Sequence, residues 1–303
     1  MAKVGFIFLL LITFKVNAQQ DPLYNLYFFN QGMINPAYVG LYKDATLNLI
    51  SRKQWVGIDG APLTNFLSFT TSVGRNFGIG AMIISDQLGI NSNLEGQLAF
   101  SFNVIEKDGL IFALGVQGGL INYRYDYSKL NLEYLDDEDL DMSLTRYSEP
   151  NFGAGMFLKT DHFYIGVSSP RILNVDVNDG LVSSTRYQRH FYLSGGFLIN
   201  NSFNSSVRIK PSFLLRMVPE GNMALDINLH ALFMETLWTG ITVRNLSAVG
   251  INALFQVSQR TRIGYGFELP TNSLLTSNYG THEISIMIEF SPLNTQHKIF
   301  RYF

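Results

Sequence analysis

Leu94-Glu95-Gly96-Gln97-Leu98-Ala99-Phe100-Ser101-Phe102-Asn103-Val104 is the stretch whose reading decides the fold. Leu94, Gly96, Leu98, Phe100, Phe102 and Val104 fall on one side of an extended chain. Glu95, Gln97, Ala99, Ser101 and Asn103 fall on the other. Successive side chains of an extended backbone point to opposite faces, so a period of two marks a strand. No charge falls on the apolar face.

The pattern recurs. Val207, Ile209, Pro211, Phe213, Leu215 and Met217 face one way, with Arg208, Lys210, Ser212, Leu214 and Arg216 behind them. The next run sets Leu225, Ile227, Leu229, Ala231 and Phe233 against Ala224, Asp226, Asn228, His230 and Leu232. A turn centred on Gly221 would bring Arg216 opposite Asp226 and Ser212 opposite His230, joining two polar faces of complementary charge. Turning such a charge toward lipid near the midplane costs about 2–4 kcal/mol, so the choice of face is well specified. Pro211 cannot donate to a ladder, and a bulge is expected there.

Similar runs recur from Ala45 to Phe290, and about fourteen strands are expected. The expected sixth runs over Asn151–Thr160. The links between them sort by length. Lys53–Pro62 is long and Gly74–Phe77 short; Asp126–Pro150 is long and Asp161 single; Ser168–Gln188 is long and Asn200–Ser206 shorter. Outer-membrane barrels pair short periplasmic turns with longer outside loops. The sorting fades late, where Arg244–Leu246 is short.

The ends and the composition agree with export to a membrane. Lys3, the apolar stretch Val4–Phe14 and Val16-Asn17-Ala18 read as a signal peptide cut after Ala18. Without Lys3 and Lys15 the formal charge moves from −2 to −4, too weak to suggest a nucleic-acid partner. Aromatics make up 14% and charged residues 15%, well below the usual quarter charged. There is no cysteine, which excludes a disulfide scaffold and thiol chemistry. These features favour a transmembrane antiparallel β-barrel over a soluble all-β protein with one buried face. The expected organisation is a signal peptide at 1–18, an N-terminal periplasmic or plug segment at 19–44, the barrel at 45–290 and a periplasmic tail at 291–303. Both termini are then expected in the periplasm of a cell-envelope protein.

No phosphate loop, dinucleotide fingerprint, G-x-S-x-G or H-E-x-x-H is present. No enzyme activity, cofactor or metal is expected. His190 with Ser194, and His230 with Ser212, share faces as a barrel hydrolase would require, but a polar lumen filled by hydrogen-bonding side chains is the favoured reading. The acidic run Glu133–Asp141 lacks the glycine and spacing of an EF-hand and reads as a solvated outside loop. Two clusters stand out as candidate sites. Tyr24, Tyr27, Phe28 and Phe29 need burial, so Leu23–Tyr38 either packs into the barrel mouth as a plug, the preferred reading, or docks a periplasmic partner. Arg52, Lys53 and Trp55 form either a partner contact or an interfacial girdle.

Several strings carry a resemblance: Gln20-Asp21-Pro22, Tyr27-x-x-Asn30, Asn35-Pro36-Ala37-Tyr38-Val39-Gly40, Arg52-Lys53-Gln54-Trp55-x-Gly57 and Gly60-Ala61-Pro62-x-Thr64. With them the chain resembles the PorP/SprF family of the type IX secretion system of Bacteroidota. The resemblance implies a non-enzymatic outer-membrane component without cofactor, serving protein secretion and gliding motility. Its implied partners are outer-membrane lipid, secretion-system components, a cognate secreted surface protein or its C-terminal domain, and a periplasmic peptidoglycan-linked protein. The alternative is a diffusion channel or small-molecule transporter. The candidate plug or partner-binding residues are Tyr27, Asn30, Asn35, Pro36, Tyr38, Arg52, Gln54 and Trp55. The segment up to Gly40 is expected at the periplasmic mouth, and Arg52–Pro62 in the first outside loop.

Overall fold

The computed structural model describes residues 24–126, 144–178, 183–200, 206–219 and 223–290. The signal peptide, Gln20-Asp21-Pro22, the acidic run Glu133–Asp141 and the C-terminal tail lie outside the described residues.

The strands run β1 (Ala45–Lys53), β2 (Leu63–Val73), β3 (Phe77–Leu88), β4 (Asn91–Lys107), β5 (Leu110–Asp126), β6 (Leu144–Lys159) and β7 (Phe163–Ser169). A separate hairpin follows, β8 (Val175–Asn178) with β9 (Ser183–Tyr187). Then come β10 (Phe191–Phe197), β11 (Ile199–Asn200), β12 (Val207–Met217), β13 (Met223–Phe233), β14 (Leu237–Arg244), β15 (Ala248–Gln256), β16 (Thr261–Pro270) and β17 (Thr281–Phe290). Each barrel strand pairs antiparallel with its neighbours. β1 pairs with β17 and β10 with β12, which closes the sheet. With β10 and β11 taken as one interrupted strand, the barrel has fourteen.

Burial is inverted relative to a soluble protein. On β4, Glu95, Gln97, Ala99, Ser101 and Asn103 are buried, while Leu98 is 57% and Phe100 54% exposed. On β13, Asp226, Asn228 and His230 are buried and Ile227 is 55% exposed. Apolar side chains pointing outward and polar ones inward suit hydrocarbon around the wall. Closure also leaves no open edge of unpaired backbone groups, which hydrocarbon would not tolerate.

The periodicity assigns the faces correctly, but three local expectations fail. The β12–β13 register pairs Arg216 with Ala224, Ser212 with Asn228 and Lys210 with His230. The register is therefore shifted by two residues from the expected one. A shift of two keeps every side chain on its face, so the face pattern alone could not fix it. Pro211 sits opposite Leu229 with no bulge. Its missing N–H coincides instead with the break between β10 and β11 at Leu198. Thirdly, β6 starts at Leu144 rather than Asn151 and pairs with β5 from Asp126 onward. Its first residues are polar because β4, β5 and β6 extend past the length of about 9–11 residues that crosses a bilayer.

Loops and turns divide between the two ends. One end carries residues 54–62, 170–174, 188–190 and 271–280; we call it the loop end. The other carries residues 74–76, 108–109, 160–162 and 234–236; this is the turn end.

Candidate functional site in the barrel lumen

Tyr24 to Leu41 does not hang below the barrel. It runs through the lumen in three short 3₁₀ turns, Tyr27–Phe29, Gln31–Met33 and Pro36–Tyr38. Tyr24, Leu26, Tyr27, Phe28, Ala37, Tyr38 and Val39 are all buried. Asn35 starts the last turn, its carboxamide oxygen accepting from Ala37 N–H at 3.0 Å, with Pro36 at the first helical position. Proline suits that position, where the backbone N–H has no helical partner.

Residues 30–41 lie against β2 to β10. Asn30 donates to Ser68 Oγ at 3.3 Å, and Ser194 donates to Gln31 at 3.3 Å. Asn35 Nδ2 donates to the Met156 carbonyl at 2.9 Å, and Ser168 donates to the Ile34 carbonyl at 2.6 Å. Tyr38 meets Phe157 edge-on with centroids 5.4 Å apart. Wall glycines make room for this part of the chain. A Cβ on Gly115 would overlap the Pro36–Ala37 backbone, and one on Gly78 would overlap Val39 and Gly40.

Residues 24–29 lie mainly against β12 to β17. Asn228 donates to the Tyr27 hydroxyl at 2.7 Å. Phe28 packs tilted against the His230 ring, with centroids 3.6 Å apart and planes 31° apart. Phe29 meets Trp238 at 6.3 Å. Higher up, Asn25 fits between Gly250 and Gly266. The Glu283 carboxylate accepts from the backbone N–H groups of Asn25 at 2.6 Å and Leu26 at 2.8 Å.

Glu283 ends a chain of alternating charges toward the loop end. Arg216 lies 3.6 Å from Asp226, and Asp226 3.4 Å from Arg244. Arg244 reaches Glu268 at 3.1 Å, and Glu268 faces Arg52 at 3.9 Å. Arg52 approaches Glu283 at 3.8 Å. All six are buried, and their charges sum to zero. Mutual neutralisation offsets the cost of removing each from water.

The opposite side of the loop end is filled by an infolded stretch after β7. Arg171 pairs with Glu95 through both ends of its guanidinium. Gln117 donates to the Pro170 carbonyl at 2.9 Å. Asn151 accepts from Ile172 N–H at 3.0 Å and donates to the Leu173 carbonyl at 2.9 Å.

Tyr27, Asn30, Asn35, Pro36 and Tyr38 are therefore together in the lumen. Arg52 is not in the first loop. It is 2% exposed and points inward from β1. Gln54 accepts from Arg52 Nη1 at 2.6 Å. Trp55 lies past the strand, half-buried, with φ of 47° and its N–H 3.4 Å from Thr281 Oγ1. The expected separation of the two motif halves to opposite mouths does not hold, because Tyr24–Leu26 and Arg52 meet at Glu283. Glu283, Glu268, Arg244, Asp226, Glu95 and Arg171 were missed as site residues. Usable signals existed for two: Arg216 and Asp226 already faced each other as complementary charges on consecutive strands, and the first and last strands of a closed barrel are neighbours, which pairs Arg52 with Glu283. For the hydrolase alternative, His190 Nδ1 lies 2.7 Å from the Gln188 carbonyl, while the Ser194 hydroxyl serves Gln31.

The family model of the type IX secretion system membrane protein PorP/SprF matches residues 16–288. The chain belongs to the PorP/SprF family. That membership, with the barrel, makes it an outer-membrane component of type IX secretion, a system of Bacteroidota associated with gliding motility. As a PorP/SprF protein it associates with the membrane and with secretion-system components. Among solved structures it is similar to the outer-membrane protein Omp33 of Acinetobacter baumannii. The two are 8% identical with a TM-score of 0.51, over 83% of this chain and 100% of that one. It is also similar to the KdgM porin at 8% identity and TM-score 0.41, over 81% and 99%. At these identities the likeness to Omp33 shows the barrel fold alone, and the KdgM match carries no further argument. A comparison with curated proteins returned no match.

Proposed function

We infer that this PorP/SprF protein is a sealed, non-enzymatic scaffold, and that residues 24–41 form its plug. One observation carries the reading. The chain's own N-terminal segment is buried among lumen side chains from β2 round to β17, where a diffusion channel would keep water. The barrel then assists export of a cognate secreted protein or holds that protein's C-terminal domain at the cell surface, a gliding adhesin being a cargo of this class. The loop end faces outside, because outer-membrane barrels keep their short turns periplasmic. In that orientation β17 ends toward the periplasm.

The outer contact centres on the paired loops 54–62 and 271–280. Val56 N–H donates to the Gly280 carbonyl at 2.9 Å and Tyr279 N–H to the Val56 carbonyl at 2.7 Å. Trp55 is half-buried there and Tyr279 is 76% exposed. Trp55→Ala combined with Tyr279→Ala should leave barrel insertion intact and lower surface display of the cognate protein several-fold. Unchanged display with normal heat-modifiable gel migration would overturn this contact. A steadily conducting parent barrel in a planar bilayer would overturn the plug.

A further inference from the structure

The two halves of the lumen segment are held in physically different ways. Residues 30–41 interlock with the wall. Backbone of Pro36, Ala37, Val39 and Gly40 occupies space where only glycine fits on the facing strands. Their neighbours bond to wall carbonyls through Asn35 and from wall hydroxyls through Ser101 and Ser168. Residues 24–29 have no such backbone interlock: Asn25 meets Gly250 and Gly266, Leu26 meets Gly264 and Tyr24 meets Phe66 through their side chains. Their main-chain attachment is to one carboxylate, Glu283, with a long 3.5 Å contact from Arg244 to the Tyr24 carbonyl. The Asn25 carboxamide, although buried, has no hydrogen-bond partner among the described residues.

We propose that Glu283 is a latch, and that releasing it lets residues 24–29 swing away and opens a polar passage along β12–β17 and the adjoining β1. The inference rests on the plug reading above. The exposed wall would carry Arg52, Arg216, Asp226, Arg244, Asn252 and Glu268. These balanced charges and amides suit ions and small polar solutes rather than apolar ones. Glu283 is suited to the role because it couples two things. It holds the segment's backbone, and it balances Arg52, which is itself shared with Glu268. Any change that draws Arg52 toward Glu268 weakens the same carboxylate's setting. Residues 30–41 stay in place, so the barrel keeps its fixed base while its other half opens.

The absence of native cysteine makes the test direct. A Cβ on Gly266 would lie 3.4 Å from the Asn25 Cβ, close to the usual separation across a disulfide of about 3.5–4.5 Å. The full-length barrel is reconstituted in planar bilayers of bacterial phospholipid. The parent should be silent, and Glu283→Gln should raise the frequency of opening events at least about tenfold. Asn25→Cys with Gly266→Cys, added to Glu283→Gln, should be silent when oxidised and active again after reduction. A lone Ala37→Cys should resist an impermeant thiol reagent in every background. A Glu283→Gln barrel that migrates as folded yet stays as silent as the parent overturns the latch. If that variant does not fold, Glu268→Gln replaces it, and its silence when folded has the same force. A parent that conducts freely overturns the plug reading instead, so the two failures are distinct.

Discussion

Glu283 accepts the backbone N–H of Asn25 at 2.6 Å although the two lie 258 positions apart. The last strand thus holds the start of the lumen segment. It does so beside Arg52, which comes from the first strand, because β1 and β17 close the barrel at the Arg52–Glu283 pair. Seam and segment are tied by one carboxylate.

The charge chain should behave as a unit. Asp226→Ala leaves Arg216 and Arg244 short of a counter-charge in a buried setting, at a cost of about 3–5 kcal/mol. Adding Arg216→Ala should recover part of that loss, because the surplus charge goes with it. Urea midpoints of the barrel in lipid vesicles measure both, and strictly additive losses would rule out the coupling.

The glycine bed should be sensitive where it faces the segment and indifferent where it faces lipid. Gly115→Ala should cost about 1–3 kcal/mol by overpacking against Ala37. Gly96→Ala, with nothing within 4 Å of its Cβ, should be neutral or slightly stabilising. Equal effects in a urea titration would contradict the placement of the segment.

Asn35→Ala removes a donor to Met156 and an acceptor for Ala37. The unmatched buried groups should cost about 1–3 kcal/mol. Limited proteolysis from the turn end should then cut within residues 30–41, where the parent resists.

Phe100→Arg puts a charge on the outward face of β4. Near the bilayer midplane this costs about 2–4 kcal/mol. The yield of heat-modifiable barrel should fall, whereas Phe100→Leu should leave it close to the parent's.

Arg171→Ala should loosen the infolded stretch after β7 by stripping Glu95 of its bidentate partner. Protease added to whole cells should then cut the 170–190 span faster. An unchanged rate would mean that Gln117 and Asn151 suffice to hold it.

Some of this was legible early. The alternation at Leu94–Val104 assigns the correct face to every residue of that run, and the Tyr24–Phe29 aromatics call for burial. The hairpin register was not legible, because shifting β12 against β13 by two residues leaves the pattern unchanged. Nor was the infolding at Pro170–Leu173, a short polar-bordered stretch with no period of its own.

The sequence by itself determined the number of barrel strands, their outward and inward faces, and the family. Those depend on side-chain alternation and short strings, which are local in the chain. Only the tertiary structure decided that Arg52 points inward, that Tyr24–Leu41 lies within the wall, and that charges from β1, β12, β13, β14, β16 and β17 form one buried chain. The reason is closure: a barrel makes neighbours of residues that no local period relates, and it encloses whatever its inner face can bind.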